Sequence, residues 1–270
     1  MPWWNAVLAW WQRLLGRRRE PGAASGGRVS GEPQSSNGAS SMHLWWQLPT
    51  SERLTAVRAT IEILEPPVVD RLYFWALQAT FVEPDGGAAH LGLQHNRRHP
   101  GAAAANFGGY APSSVGGLLD GADSSLPSAP NDPNTRDFGW APHRKYRLSI
   151  ERVPDAAPEG FYAWRGAIED LESGRFSVVR VLFSRGEYLS GPVVWSEAFA
   201  RCEHAPVAVR WSDLEVVGEG VVAVVTGSVN YQRRDAGGCD NTNMTVNGDG
   251  WVQQTATLRT VPSGTRLTLM

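Results

Sequence analysis

The sequence predicts an all-β fold, an antiparallel β-sandwich or jelly roll, and three observations carry that prediction. From Trp45 onward, stretches with period-2 alternation follow one another. Clusters of Gly, Pro, Asn and Asp separate those stretches. Helical periodicity is scarce over the same range, and ten or more short strands with almost no helix make a sandwich.

The strands can be taken in order. Val57, Ala59, Ile61 and Ile63 share one face, while Arg58, Thr60 and Glu62 share the other. "RLYFWALQATFV" (71–82) is apolar on both faces and reads as a central strand. His90-Leu91-Gly92-Leu93-Gln94 alternates, "HNRRHPG" turns the chain, and "AAANFGG" returns it. "KYRLSIERV" (145–153) alternates, and 161–183 reads as a hairpin turning at Glu172-Ser173-Gly174. Further strands fit 193–199, 206–217, 220–233, 251–260 and 265–269.

The three histidines of this region, His90, His95 and His99, raise the question of metal. A metal site holds its ligands at about 2 Å from one point. A turn supplies that poorly, so these residues are expected at the turn and surface, with no metal.

Ahead of the strands, residues 1–19 read as an amphipathic helix. At about 100° per residue, Trp3, Trp4, Val7, Leu8, Trp10, Trp11, Leu14 and Leu15 fall within one arc of about 160°. Arg17, Arg18 and Arg19 follow. Tryptophan beside arginine suits an anionic membrane surface or a protein partner, and the helix is expected not to pack into the β-domain. The segment lacks the basic start and small-residue cleavage site of a signal peptide and is too short to span a bilayer. The expected location is therefore cytoplasmic, peripheral at the inner membrane surface. Residues 20–41, rich in Gly, Ser and Pro, read as a flexible tether, leaving 42–270 as the β-domain.

Composition narrows the function classes. With 25 basic and 27 acidic residues, no global field recruits nucleic acid. There is no Walker loop, no GxGxxG and no Gly-x-Ser-x-Gly nucleophile motif. Cys202 and Cys239 fit one disulfide or two buried thiols equally.

Four stretches, "YFWALQATF", "HLGLQHN", "NFGGY" and "YLSGPVVWSEAFAR", are similar in order and spacing to an uncharacterised bacterial family (domain of unknown function 3472). The resemblance covers about residues 52–218. It implies a concanavalin-A-like jelly roll of the kind found beside carbohydrate-related modules, with no established activity. The chain departs from the family between Ala111 and Pro142, where a long Pro/Ser/Asp-rich insertion is expected to cover part of the concave face.

Sugar recognition needs flat aromatic rings for the apolar faces of the ring and amides or guanidinium groups for the hydroxyls. Tyr73 and Trp75 on one strand, Trp164 on another and Trp140 at the end of the insertion supply rings, while Gln94, Asn106 and Arg165 supply hydrogen bonds. The expected function is a lectin-like binding module with Trp75 and Trp164 on one concave surface. The alternative is a carbohydrate-active enzyme. A glycoside hydrolase needs two carboxyls about 5–10 Å apart; Asp170 with Glu172, or Glu62 with Glu197 from separate strands, are the candidates, and a lyase would draw on Gln94 and His95. No catalytic residue and no cofactor is assigned. The loop 237–250 offers Asp240, Asn241, Asn243, Asn247 and Asp249 as oxygen ligands for a structural calcium ion, or as the ordinary chemistry of a turn.

Overall fold

The alternation resolves, in a computed structural model, into two antiparallel sheets packed face to face. The structure describes residues 27–48, 53–82, 87–111, 117–127, 132–154 and 157–270. The expected N-terminal helix, with Trp3, Trp4, Trp10, Trp11 and Arg17–Arg19, lies outside them.

Sheet A contains β1 (Ser40–Trp46), β3 (Tyr73–Phe81), β4 (Ala88–His95), β5 (Ala103–Tyr110), β6 (Thr135–Asp137), β10 (Leu189–Ala198), β13 (Thr226–Tyr231) and β16 (Arg266–Thr268). Their order across the sheet is β16-β13-β1-β10-β3-β4-β5-β6. Sheet B contains β2 (Ala56–Glu65), β7 (Lys145–Val153), β8 (Tyr162–Asp170), β9 (Arg175–Ser184), β11 (Ala208–Val217), β14 (Asn243–Asn247) and β15 (Gly250–Gln254), in the order β14-β15-β11-β2-β7-β8-β9. A short β12 (Val221–Ala223) adds to β11.

Between the sheets lies one core, and its largest fully buried side chains include Trp75, Trp164, Trp211 and Trp251. Packing is close enough that a methyl added at Gly166 would meet the Phe107 ring at 2.4 Å. One buried amide spans the layers. Gln253 Oε1 accepts from Ser196 Oγ at 2.5 Å and from Trp211 Nε1 at 3.0 Å, so a polar residue inside the core is satisfied from both sheets.

Four expectations need correction. The tether assigned to 20–41 is, over 27–39, a strap held to the body: Arg28 N donates to Asp240 Oδ2, Cys202 N to Gly31 O, and Gln34 N to Gly237 O. Its Gly/Ser/Pro composition hid this because main-chain hydrogen bonds, rather than apolar side chains, fix it. The body therefore begins before Met42, which sits inside β1. The described residues of the insertion add β6 to the edge of sheet A and bridge the two sheets, rather than lying over a sheet face. Its described part crosses from β5 to β9, with Leu119 N on Gly109 O and Ala122 N on Val181 O, and closes the side of the sandwich; Arg180 fastens it through Nε to Ala122 O at 3.1 Å. The 220–233 stretch divides at Val224-Val225, where the chain passes from sheet B to sheet A. The 251–260 strand ends at Gln254 and pairs with β14, which the Asn-rich stretch had concealed.

The cysteines form a Cys202–Cys239 disulfide, beneath the strap. Cys239 N donates to Ser40 Oγ at 2.9 Å, so the bond links the end of β10, the β13–β14 connection and the start of β1.

Candidate functional site

Side chains on a strand alternate between faces, so each sheet of a sandwich has an inner face in the core and an outer one. The two outer faces differ in chemistry, and that difference locates the site.

The outer face of sheet B is a lattice of ion pairs. Glu215 receives Arg58 Nη1 at 2.7 Å and Arg147 Nη2 at 2.9 Å; Glu151 receives Arg165 Nε at 3.0 Å; Arg210 lies 3.7 Å from Glu62. Arg165, expected to bind sugar hydroxyls, is thus bound to Glu151, with the Phe176 ring against its guanidinium. This is an ordinary solvated sheet face.

Sheet A presents three aligned rows on its outer face. The first crosses the strands as Ser41, Glu197, Phe74, Gln94 and Ala104. The second runs Asn230, His43, Trp195, Ala76, Gly92, Asn106 and Thr135. The third runs Ser228, Trp45, Val193, Gln78, His90 and Gly108. Phe74, Ala76, Val193 and Trp195, with Trp45 against them, form an apolar cluster separate from the core. Phe74 meets Trp195 edge-on at 4.9 Å and His90 edge-on at 5.6 Å, and Tyr110 lies 5.9 Å from His90.

The polar groups woven among these rings are nearly all neutral. Trp195 Nε1 donates to Gln78 Oε1 at 3.0 Å. Asn96 Nδ2 donates to Gln94 Oε1 at 3.0 Å, and Asn106 Nδ2 to Thr135 Oγ1 at 2.9 Å. Burial pushes the His43 imidazole down to about 3 and the His90 imidazole down to about 4, the latter against the opposing pull of the Asn106 side chain. Both are therefore neutral at pH 7. Gly108 leaves the room His90 needs, since an added Cβ would stand 3.1 Å from its Nε2. From β1 to β5 no Lys or Arg belongs to these rows; at the sheet edge Arg266 of β16 pairs with Ser228 in the third.

Glu197 is one of two carboxyls in the rows; the other, Asp137, pairs with Ala104 at the β6 edge of the first row and is held by His99. Burial raises the pKa of Glu197 to about 7, opposed by Asn37 Nδ2, which donates to Oε1 at 3.1 Å from the strap. A carboxyl whose folded pKa exceeds its unfolded value favours the folded state most at low pH. That contribution is lost as pH rises from about 4.5 through about 7. Glu197→Gln is therefore expected to flatten the fall in stability over this window, measured by urea denaturation at pH 5 and pH 8. An unchanged pH slope would show that Glu197 titrates normally.

The residues expected to bind ligand scatter to different places. Tyr73, Trp75 and Trp164 are core: Trp75 and Trp164 are 2% and 0% exposed, so the aromatic surface expected from them does not exist. Their phase along β3 and β8 turns inward, and the opposite phase of β3 carries Phe74 and Gln78 outward. Trp140 stands edge-on to Trp75 at 5.7 Å and donates from Nε1 to the backbone oxygen of Gln94, so it seals the end of the sandwich. Only Gln94 and Asn106 lie on the outer face of sheet A. Sequence reasoning missed Trp45, Phe74, Gln78 and Trp195; the signal was present in "YFWALQ", "HLWW" and "VVWSE", where both phases of the strand are apolar.

The histidines diverge. His90 lies in the third row. His95 lies on the other side of β4, edge-on to Tyr73 at 6.4 Å, and burial lowers its pKa. His99, expected at the surface, is 5% exposed and pairs through Nδ1 with Asp137 Oδ1 at 2.6 Å. Among the described residues, no three His, Cys, Asp or Glu side chains gather as a metal site. In the loop considered for calcium, Asn243–Asn247 are strand β14. Asp240 takes Arg28 N and pairs with Arg259 at 3.6 Å, Asn241 donates to Cys202 O, and Asn243 binds Thr260. The carboxyl pairs fare no better: Glu62 and Glu197 lie on opposite sides of the sandwich, and Asp170 and Glu172 both clasp Arg144.

No family model matches the sequence, and no curated protein matches it. Among solved structures, a scytalido-glutamic peptidase bound to a peptide-based transition-state analogue superposes with a TM-score of 0.44 at 10% identity, over 83% of this chain and 98% of the other. SCP-B, a member of the eqolisin family of peptidases in complex with the tripeptide Ala-Ile-His, gives 0.42 at 8% identity, over 84% and 98%. A PL-14 alginate lyase from Aplysia kurodai gives 0.28 at 10% identity, over 57% and 71%. At these values the likenesses assign no activity.

Proposed function

We propose that this protein is a lectin-like module on a concanavalin-A-like jelly roll, and that the outer face of sheet A binds a neutral glycan. The observation that carries this reading is the pairing, in three adjacent rows, of aromatic rings with neutral hydrogen-bonding groups. Trp45, half-buried, offers ring surface for sugar C–H groups, with Phe74 and Trp195 packed against it at 7% and 6% exposure. The half-buried, neutral His90 offers a donor and an acceptor, beside Gln94 and Asn106, which are 4% and 7% exposed. Guanidinium groups, which a polyuronate or sulfated chain demands, enter the rows only at the Arg266 edge, which favours neutral polysaccharides.

The test is affinity electrophoresis of the full chain in gels containing neutral or acidic polysaccharides. Retardation by a neutral polymer, weakened about tenfold by Trp45→Ala and untouched by Arg165→Ala, is the expected outcome; a tenfold loss corresponds to about 1.4 kcal/mol, within the range of one aromatic contact. Retardation only by acidic polymers, or equal loss from both variants, would remove the reading.

The enzymatic alternative rests on Glu197, whose raised pKa suits a general acid. Hydrolysis of a glycosidic bond needs a second carboxyl within about 10 Å. The nearest acids of the same sheet face, Asp137 and Asp132, lie at β6, four strands and about 19 Å away, and they are engaged by His99 and Thr135. Binding is therefore preferred over turnover.

Among the described residues no helix is long and apolar enough to cross a membrane. The Cys202–Cys239 bond is the chemistry of an oxidising compartment. We accordingly favour that side of the membrane over the cytoplasmic placement expected from the N-terminal residues.

A further inference from the structure

We propose that the end of the sandwich where β8 begins binds a carboxylate-bearing polysaccharide through guanidinium groups stacked on aromatic rings. The site lies apart from the three rows of sheet A and does not rest on the neutral-glycan reading.

Main-chain contacts gather several segments at this end. Leu54 and Leu189 form a β-bridge, Arg152 N donates to Thr55 O at 2.8 Å, and Tyr162 pairs with Ser184 across β8 and β9. The core-facing phase runs out here: Leu148 and Ile150 of β7 give way to Arg152, and Tyr162 precedes Trp164 on β8. The result is a ladder of cations and rings. Arg53 Cζ lies 5.7 Å from the centre of the Tyr188 ring, and Arg152 Cζ lies 5.3 Å from the same ring and 5.7 Å from that of Tyr162. Beside them Arg185 Cζ stands 5.3 Å from the centre of the Phe161 ring. Phe161 and Tyr162 are each 37% exposed, so the ladder faces water.

On sheet B, Arg58, Arg147 and Arg165 are bound to Glu215 and Glu151. Arg152 is tied to Glu187 through Nη1 alone, at 3.0 Å to the backbone oxygen and 3.1 Å to Oε1. Among the described residues its Nε and Nη2 have no hydrogen-bond partner, which leaves open an edge that matches the two oxygens of a carboxylate. Arg53 is exposed and, among the described residues, has no carboxylate within ion-pair distance. Stacking fixes the plane of each guanidinium in advance, so little freedom is lost when an oxyanion arrives.

The same stacking selects the ligand. A nucleobase needs an open ring face, and guanidinium groups already stand over Tyr188, Tyr162 and Phe161. A net charge of -2 also gives a long phosphate polyanion no attractive field. An acidic peptide would have to order its backbone and its flexible side chains. A uronate holds its carboxylate rigidly on a sugar ring, whose hydroxyls find donors and acceptors in the hydroxyls of Tyr162 and Tyr188.

Affinity electrophoresis of the full chain in gels containing polygalacturonate provides the test. Retardation that weakens with added salt is expected. Arg53→Lys and Arg152→Lys keep the charge but lose the fork, and each should weaken retardation about tenfold. Because Arg53 is exposed, a loss in its variant reports binding rather than unfolding. Glu187→Gln, which removes the competing carboxylate from Arg152, should leave retardation equal or stronger. Absence of retardation, or lysine variants that migrate like the native protein, would overturn the proposal. So would poly-glutamate or single-stranded DNA competing as well as soluble polygalacturonate, which would mark an acidic peptide or a nucleic acid as the occupant. Trp45→Ala should leave retardation by polygalacturonate unchanged, and the lysine variants should leave retardation by a neutral polymer unchanged. The two sites therefore stand or fall separately.

Discussion

Replacing Trp164 by alanine is expected to lower the unfolding free energy by about 3–5 kcal/mol, the usual consequence of deleting a large aromatic side chain from a packed interior. Trp164 is fully buried on β8, its ring lies 5.4 Å from that of Phe81 on the opposing sheet, and its Nε1 donates to Gly186 O at 3.1 Å. Truncation removes apolar contact between the sheets and leaves a buried carbonyl without its donor, and both losses act in the same direction. Urea denaturation followed by circular dichroism reads the change directly. Tyr162 supplies the control: it lies two residues away on the same strand, is 37% exposed, and should tolerate alanine far better. If Trp164→Ala proved as mild as Tyr162→Ala, the core described here would be misplaced.

Removing the disulfide is the second large effect. Cys202 and Cys239 are separated by 37 positions, and closing a loop of that size stabilises by about 3–4 kcal/mol through the unfolded chain. The Cys202→Ser, Cys239→Ser double variant should accordingly melt roughly 10 °C lower than the native protein. The loss should be felt first at the strap, because Cys202 N holds Gly31 O and Asn241 reaches Cys202 O from the same junction. Hydrogen exchange at Gly31 and Gln34 would show it. A double variant with native melting temperature and native exchange at those amides would mean that the hydrogen bonds hold the junction without the covalent link.

Most strands were legible in the sequence because alternation reports a half-buried surface. β2, β7 and the β8–β9 hairpin could be read almost residue by residue, down to the turn at Glu172-Ser173-Gly174. The strands of sheet A were harder to orient for the same physical reason. In β3, Tyr73, Trp75 and Leu77 form one apolar phase and Phe74 and Ala76 the other, so a single strand does not reveal which phase meets the opposing sheet. The binding expectation chose the Tyr73–Trp75 phase, and packing against sheet B claimed it. Gln94 and Asn106 lie away from the core because their strand neighbours, Leu91, Leu93 and Phe107, fill it, which separates them from Trp75 and Trp164, with which they were expected to share a groove. The strap and β14 escaped notice because Gly, Ser and Asn describe both a free loop and a loop held by its backbone. The pairing of the cysteines could not be read at all, since it depends on where two distant turns meet.

The contrast between the two outer faces divides the protein's response to dissolved ions. Mobile ions screen the arginine–carboxylate lattice of sheet B, so sodium chloride loosens that side while affecting the sparsely charged rows of sheet A much less. Sulfate acts on the other side, because salts excluded from apolar surface strengthen whatever covers Phe74, Val193 and Trp195. A change of anion at constant ionic strength thus addresses one face of the sandwich, and a change of ionic strength at constant anion addresses the other. The molecule carries its own internal reference for separating Coulombic from hydrophobic contributions to anything it binds.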